Sequence, residues 1–198
     1  MIRAALTAPP GPAPAPPARR DGVHIRLAGR GDRDHVIRLV SQMWGSDIAA
    51  RHEWLYRGNP HGEAVSWLAF EPGSPDPVAV TSIFPRRVLV RGRERLGAIG
   101  GDCYVAPWAR RRGLATALHR AALARMPRHG VTFMFGPPVP ANFGALLKAG
   151  SRHVAENRRW VRPLCGAPIY RSLTGRAPHG RAAAVAELPV RLLDRAVG

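Results

Sequence analysis

Lysine is almost missing from this chain of 198 residues: Lys148 is the single one, and the other basic residues among its 30 are arginine. Acids are also few, 13 in all, so the formal net charge is +17. A coding bias accounts for arginine in place of lysine, but not for so large an excess of base over acid. The excess implies a surface that attracts phosphate-bearing partners. Cysteine is scarce too. Cys103 and Cys165 cannot build a disulfide framework, which points to a reduced, cytoplasmic setting. No stretch approaches the roughly 18 apolar residues of a membrane span. Prolines interrupt Met1 to Arg20 before a signal-peptide core could form. The eight histidines lack metal-ligand spacing: His52-Glu53 begins like a zinc helix, but Tyr56 stands where the second His belongs. No internal repeat is visible. What remains is a chain of globular composition, 45% apolar, long enough for one domain and its core.

Residues 1–20 hold the Ala-, Pro- and Gly-rich run Thr7 to Pro17, which has little apolar surface to bury and is expected as a disordered tail. Val23 to Leu27 alternates as a strand does. Asp32 or Asp34 offers a cap for a helix to Trp44, with Val36, Ile37, Leu39, Val40 and Met43 on its apolar side and Gly45 ending it. Asp47 to Arg57 reads as a shorter helix, closed by the turn Gly58 to Gly62. Strands are expected over Val65–Phe70, Val78–Phe84, Arg87–Val90, Leu96–Ile99 and Asp102–Val105, and a helix from Gly113 to Met126. Val131 to Phe135 is a short apolar run expected to be buried on both faces, followed by a helix near Asn142 to Lys148 and a last strand from His153 to Val161. Trp67 and Trp108 are assigned to packing. The order of elements predicts an α/β fold, a mixed sheet with helices on both faces, over 21–164. Beyond that, 165–198 is a weakly patterned extension in which Ala182 to Ala196 could form a helix.

The most informative segment is Val105-Ala106-Pro107-Trp108-Ala109-Arg110-Arg111-Arg112-Gly113-Leu114-Ala115. A strand ends, the chain turns, and small residues open a helix. Glycine and alanine let the backbone approach a ligand closely. A first helical turn presents unpaired N–H groups and the positive end of the dipole, a geometry that binds phosphate. Adjacent arginines add charge-assisted donors.

This segment resembles the acyl-CoA signature of the GNAT superfamily, Arg or Gln, two residues, Gly, one residue, Gly or Ala, through Arg110, Gly113 and Ala115. Val105 and Pro107 match the strand exit before it. The resemblance implies an acyltransferase with a central, mostly antiparallel sheet, splayed between the strand ending at Val105 and the strand Val131 to Phe135. It implies acetyl-CoA or another acyl-CoA as co-substrate, with Arg110, Arg111, Arg112, Gly113, Leu114, Ala115 and Thr116 at the pyrophosphate, Cys103, Tyr104 and Val105 along the pantetheine arm, and Asn142 on the following helix. The Val105 N–H would polarise the thioester carbonyl and hold the oxyanion. Trp54, Tyr56 and Asn59 fall where relatives in natural-product pathways, including antibiotic biosynthesis, face their acceptor, but packing on the sheet is an equal reading for the two aromatic side chains.

Two departures stand out. A tyrosine that many members place about seven residues after the Asn, as an acid, is replaced by Ala149. No general base is evident either: Asp102 is the leading carboxylate, ahead of Glu53 and Glu71, although Gly100-Gly101-Asp102 also reads as a plain turn. The acceptor is expected to be a small-molecule amine and the protein a monomer or homodimer without a metal or a membrane. Eleven arginines between residues 86 and 128 keep two other readings open. The donor could be an aminoacyl-tRNA or a carrier-protein thioester, or the chain could be a basic nucleic-acid-binding protein without activity, although it lacks any recognised nucleic-acid motif.

Overall fold

The computed structural model describes residues 22–156, 165, 167–177, 179–183 and 185. The proline-rich run at 7–17 lies outside them. The chain divides into two units, Met1–Val154 and Ala155–Gly198.

The first unit is built on one five-stranded sheet in the order β1-β2-β3-β4-β5. Its strands are β1 (His24–Leu27), β2 (Val65–Phe70), β3 (Pro77–Val90), β4 (Arg93–Val105) and β5 (Phe133–Phe135). Neighbours run antiparallel except β5, which pairs parallel to β4 over Gly97–Ile99. β2 is buried along almost its whole length because helices cover both faces, and period-two alternation divides its side chains between them. Trp67 and Ala69 meet Leu114, Leu118, Ala121 and Ala122 of α3 (Leu114–Arg125) on one side. Leu68 and Phe70 meet Val36, Leu39 and Val40 of α1 (Arg33–Trp44) on the other. Each fully buried Leu or Val contributes about 1.5–3 kcal/mol relative to exposure. Leu39, Val40 and Leu118 are at or below 1% exposure, and the two leucines, with the larger apolar area, contribute more than the valine.

α1 ends as its sequence predicts, with Gly45 at φ 68° donating its N–H to the Ser41 carbonyl at 2.8 Å. Its start differs. Asp32 occupies the capping position, but its carboxylate turns back to accept from Arg26 (2.7 and 2.8 Å) and from the Gly29 N–H (2.7 Å). The second helix is a single turn, α2 (Ala49–Arg51), that widens into a π-helix over His52–Arg57.

The strands expected at Val78–Phe84 and Arg87–Val90 are one strand, and so are those at Leu96–Ile99 and Asp102–Val105. Pro85 does not break β3, because past Ile83 the strand has left β2 behind and pairs with β4 alone. Gly100-Gly101-Asp102 is not a turn either; it passes through β4 as an irregularity in the ladder. β5 is only partly buried, with Phe135 at 42% exposure, so the expectation of burial on both faces fails. Residues 153–156 form no strand, and the rest of that expected element lies outside the described residues. α4 (Pro140–Ala149) completes the unit, closed by Gly150.

In the second unit, α5 (Ala167–Thr174) ends with the Gly175 N–H on the Arg171 carbonyl at 2.8 Å. The helix expected over Ala182 to Ala196 lies mostly outside the described residues. No helix among the described residues is long and apolar enough to cross a membrane, and none of their His, Cys, Asp or Glu side chains cluster in a group able to hold a metal.

Candidate active site

β4 leaves β5 after Ile99 and runs on to Val105, so the sheet opens between them. At the end of β4 the chain makes a short turn (Pro107–Ala109), passes the three arginines, and enters α3 through Gly113 at φ 79°. A Cβ there would meet nothing within 4 Å, so the backbone faces open space. The first bond of the helix runs from the Ala117 N–H to the Gly113 carbonyl at 3.0 Å. The amides of Leu114, Ala115 and Thr116 therefore lie ahead of any helical partner and point out of the N-terminus.

The arginines divide their work. Arg110 Nε donates to the Val105 carbonyl at 3.0 Å, tying the loop to the strand, and its guanidinium stands 5.9 Å over the Tyr104 ring. Arg112 is paired with Glu71. Arg111, at φ 62°, has no partner among the described residues. A groove of about 1720 Å³ runs along this end of the sheet. It is lined by Cys103, Tyr104 and Val105, by every residue from Arg110 to Thr116, and by Asn142 of α4. The groove also reaches Val23 just before β1, Gln42 and Met43 on α1, and Arg120 and Lys148, none of which carries a local pattern that marks it. Asn142 is oriented from behind by His119, whose Nε2 lies 3.0 Å from its Oδ1. Burial holds the His119 imidazole below its usual basicity, against the opposing effect of that bond. Burial also pushes the Cys103 thiol up to about 11, partly offset by a bond with Thr81, so at neutral pH it is a thiol and not a nucleophile.

The direction of the Val105 amide follows from the ladder. Val80 pairs with Tyr104 but Ser82 pairs with Gly101, so Asp102 and Cys103 together face Thr81: β4 carries one extra residue, a bulge. Backbone groups alternate sides along a strand. Upstream of the bulge, the Leu96 carbonyl accepts from Thr132 N–H at 2.9 Å, so even-numbered residues face the β5 side. Downstream, Ala106 N–H donates to Val78 across β3 at 2.9 Å, so even-numbered residues face β3. The bulge reverses the alternation, and the Val105 N–H consequently points into the opening.

Asp102 sits in that bulge at φ 47°, left-handed for a residue with a side chain. Its carboxylate does not line the groove. It accepts from Arg51 Nη1 and Nη2 (2.6 and 3.1 Å) and from the Tyr56 hydroxyl (2.6 Å). Burial, and then the neighbouring carboxylate, raises the Tyr56 phenol well above its ordinary range. Arg51 and Ser82, which join this cluster, were not foreseen. A pairing across 51 residues leaves no local pattern. The other carboxylates considered as bases are engaged elsewhere, Glu53 with Arg33 and Glu71 with Arg112.

Trp54, Tyr56 and Asn59 do not form one wall. Trp54 is 71% exposed, Tyr56 is buried, and Asn59 is buried with its amide on the Pro85 carbonyl and the Arg86 guanidinium. Trp67 packs in the core as expected, whereas Trp108 stands 64% exposed on the turn before the arginines, a correction that follows from its place on a loop the sheet does not cover.

No curated protein matches the sequence. Among solved structures, a GCN5-related N-acetyltransferase from Ralstonia eutropha is similar at TM-score 0.56 and 21% identity, over 71% of this chain and 99% of that one. Glucosamine-6-phosphate N-acetyltransferase from Arabidopsis thaliana is similar at TM-score 0.55 and 15% identity, over 70% and 97%. An aminoglycoside N-acetyltransferase solved in complex with CoA matches at TM-score 0.54 and 22% identity, over 74% and 98%. These likenesses concern the fold. The model of the acetyltransferase (GNAT) domain matches residues 24–145, well over half of the sequence, and covers every element from β1 into α4. The chain belongs to the GNAT family and is an acetyltransferase.

Proposed function

We propose that the protein moves an acetyl or other acyl group from coenzyme A to an amine of a small molecule in the cytoplasm. The observation that carries this reading is convergence. A helix N-terminus, an arginine without a partner among the described residues and the opened edge of β4 all line one groove. The chemistry of that lining suits a diphosphate at one end and a thin, amide-bearing arm along Cys103 to Val105. Acyl-CoA supplies the thioester. The chain's contribution is to hold it: the amides of Leu114, Ala115 and Thr116 and the Arg111 guanidinium take the phosphates, Asn142 borders the arm, and the Val105 N–H donates to the carbonyl oxygen. As the amine nitrogen bonds to the acyl carbon and the carbon–sulfur bond breaks, that N–H stabilises the charge developing on oxygen. The proton lost by the amine passes to water, and the departing sulfur is protonated from solvent. Holding the two reactants together accounts for much of the acceleration. Trp54, the exposed member of its trio, is the residue offered to the acceptor, whereas Tyr56 and Asn59 are buried.

Two relatives named for amino-sugar acceptors, an aminoglycoside and glucosamine 6-phosphate, supply the first acceptors to assay. A thermal-shift screen against acetyl-CoA, longer acyl-CoAs and total tRNA tests the donor. Stabilisation by acyl-CoA alone supports the proposal. Stabilisation by tRNA alone, abolished by salt, would replace it with an aminoacyl-tRNA donor.

A further inference from the structure

A bulge that leaves a non-glycine residue at φ 47° is disfavoured by its backbone and is held where its surroundings favour it. Around Asp102 the surroundings are specific. Arg51 grips both carboxylate oxygens and Tyr56 takes a third acceptor position, with the Asp102 side chain only 4% exposed. The gripping residues are braced in turn. The Tyr56 ring stacks on His52 at 4.6 Å and meets Phe84 edge-on at 5.0 Å, while the Arg51 guanidinium lies 5.3 Å from the Trp44 ring. The Tyr56 hydroxyl also accepts from Ser82 at 3.4 Å, and Ser82 bonds Ser66 at 2.8 Å, which fixes the cluster to β3 and β2 on either side.

The widened helix explains how Arg51 and Tyr56 reach one carboxylate. Residues five apart on an α-helix lie about 140° from each other around the axis. A π turn is wider and brings such residues nearer to one face, and here it is marked by the Gly58 N–H bonding the Glu53 carbonyl, five residues back, at 2.8 Å.

Resting on the reading that the Val105 N–H polarises the thioester, we propose that Arg51 and Tyr56 are positioning residues for the reaction. By clamping the Asp102 carboxylate they hold the bulge that aims the Val105 N–H into the opened edge of the sheet. Asp102 is then a structural carboxylate held by three hydrogen bonds, and not the base of the reaction. Without the clamp β4 loses the force that keeps its extra residue, and a strand restored to regular alternation would turn the Val105 N–H toward β3.

The test uses the full chain and acetyl-CoA carrying carbon-13 at the thioester carbonyl, whose infrared stretch reports hydrogen bonding to that oxygen without an acceptor. In the wild type the bound band should lie below that of free acetyl-CoA. Arg51→Met should return it toward the free value and slow thioester hydrolysis by about a hundredfold, the usual effect of a misplaced catalytic group. Affinity for acetyl-CoA, carried by the loop, should change little. Arg51→Lys, a cation without the fork, should recover part of the shift, and Tyr56→Phe should lose part of it. An unshifted band in the wild type would refute the role of Val105 itself. A shifted wild-type band that Arg51→Met and Tyr56→Phe both retain overturns the clamp. So does Asp102→Asn if it keeps the shifted band while its transfer rate collapses, for Asp102 would then act in the chemistry itself. Should Arg51→Met not fold, Arg51→Met/Asp102→Leu leaves no unpaired buried charge, and a shifted band in that variant equally overturns the proposal.

Discussion

Gly113→Asp separates the phosphate-binding loop from the rest of the fold. In the free protein the substitution is mild. Nothing stands within 4 Å of the new Cβ, so the cost is the left-handed backbone at φ 79°, about 1–2 kcal/mol. A carboxylate at a helix N-terminus contributes about 0.3–1 kcal/mol in the opposite direction. The net change is near 1 kcal/mol, equivalent to a fall in Tm of about 2–4 °C for a chain of this size. In the complex the balance is different. A carboxylate about 4 Å from one phosphate charge is opposed by about 4 kcal/mol at an effective dielectric constant near 20. Even when halved by salt, that is more than a tenfold loss, and the unhalved figure approaches a thousandfold. Gly113→Asn keeps the size and the backbone strain without the charge, and Asn tolerates the left-handed region. Calorimetric titration of acetyl-CoA at about 0.1 M salt should therefore rank wild type, Asn and Asp in falling affinity, with the larger step between Asn and Asp. Added salt should narrow that step. If Asp and Asn bind equally, charge is not what the loop reads. If Asp binds like the wild type, the phosphates are held elsewhere.

Leu118→Ala removes a side chain buried between α3 and the sheet and should cost about 2–5 kcal/mol in denaturant unfolding; a loss below 1 would show that α3 is not packed as described. His52 and His119 both titrate below their ordinary 6.5 in the fold because burial disfavours the cation. The unfolded chain therefore binds protons first, and Tm should fall as pH drops through 6.5, a slope that His119→Gln should reduce; a flat profile down to pH 5 would contradict it. Asp32, held down chiefly by its bond from Arg26, adds a separate loss only below its ordinary 3.8. With its thiol at about 11, Cys103 carries roughly one thiolate in ten thousand at pH 7, so it should resist iodoacetamide until strongly alkaline pH and be protected there by acetyl-CoA; rapid labelling at neutral pH would refute the raised thiol.

What the sequence disclosed depended on how local the determining contacts are. β2 was legible to the residue, Val65–Phe70, because its length, branched and aromatic content and flanking turns act locally. α1 and its glycine stop, the strand–loop–helix around Arg110, and α4 with its glycine end were legible for the same reason. The long hairpin of β3 and β4 was not. Pro85 and Gly100-Gly101 are breakers by propensity, and only the ladder between the two strands overrides them. Within the site, the phosphate loop declared itself by spacing, and its residues line one groove. Asp102 was noticed as a carboxylate on the right strand, but its engagement with Arg51 and Tyr56 depends on a helix from another part of the chain. One arginine among so many carries no signal of its own. Tyr56 could be picked out by sequence and still not assigned, since a buried tyrosine and a substrate-facing one look alike until the partner of the hydroxyl is known.

The single lysine gains meaning from where it sits. Lys148 is on the exposed side of α4, at the wall of the groove in which an activated acetyl group is proposed to rest. Arginine does not form amides under such conditions, so Lys148 is the one lysine amine of this sequence that the donor can meet. Self-acetylation of a lysine side chain in this sequence is thereby confined to one position. Intact mass after storage with acetyl-CoA would count it directly, and a single added acetyl group would map to a helix bordering the groove.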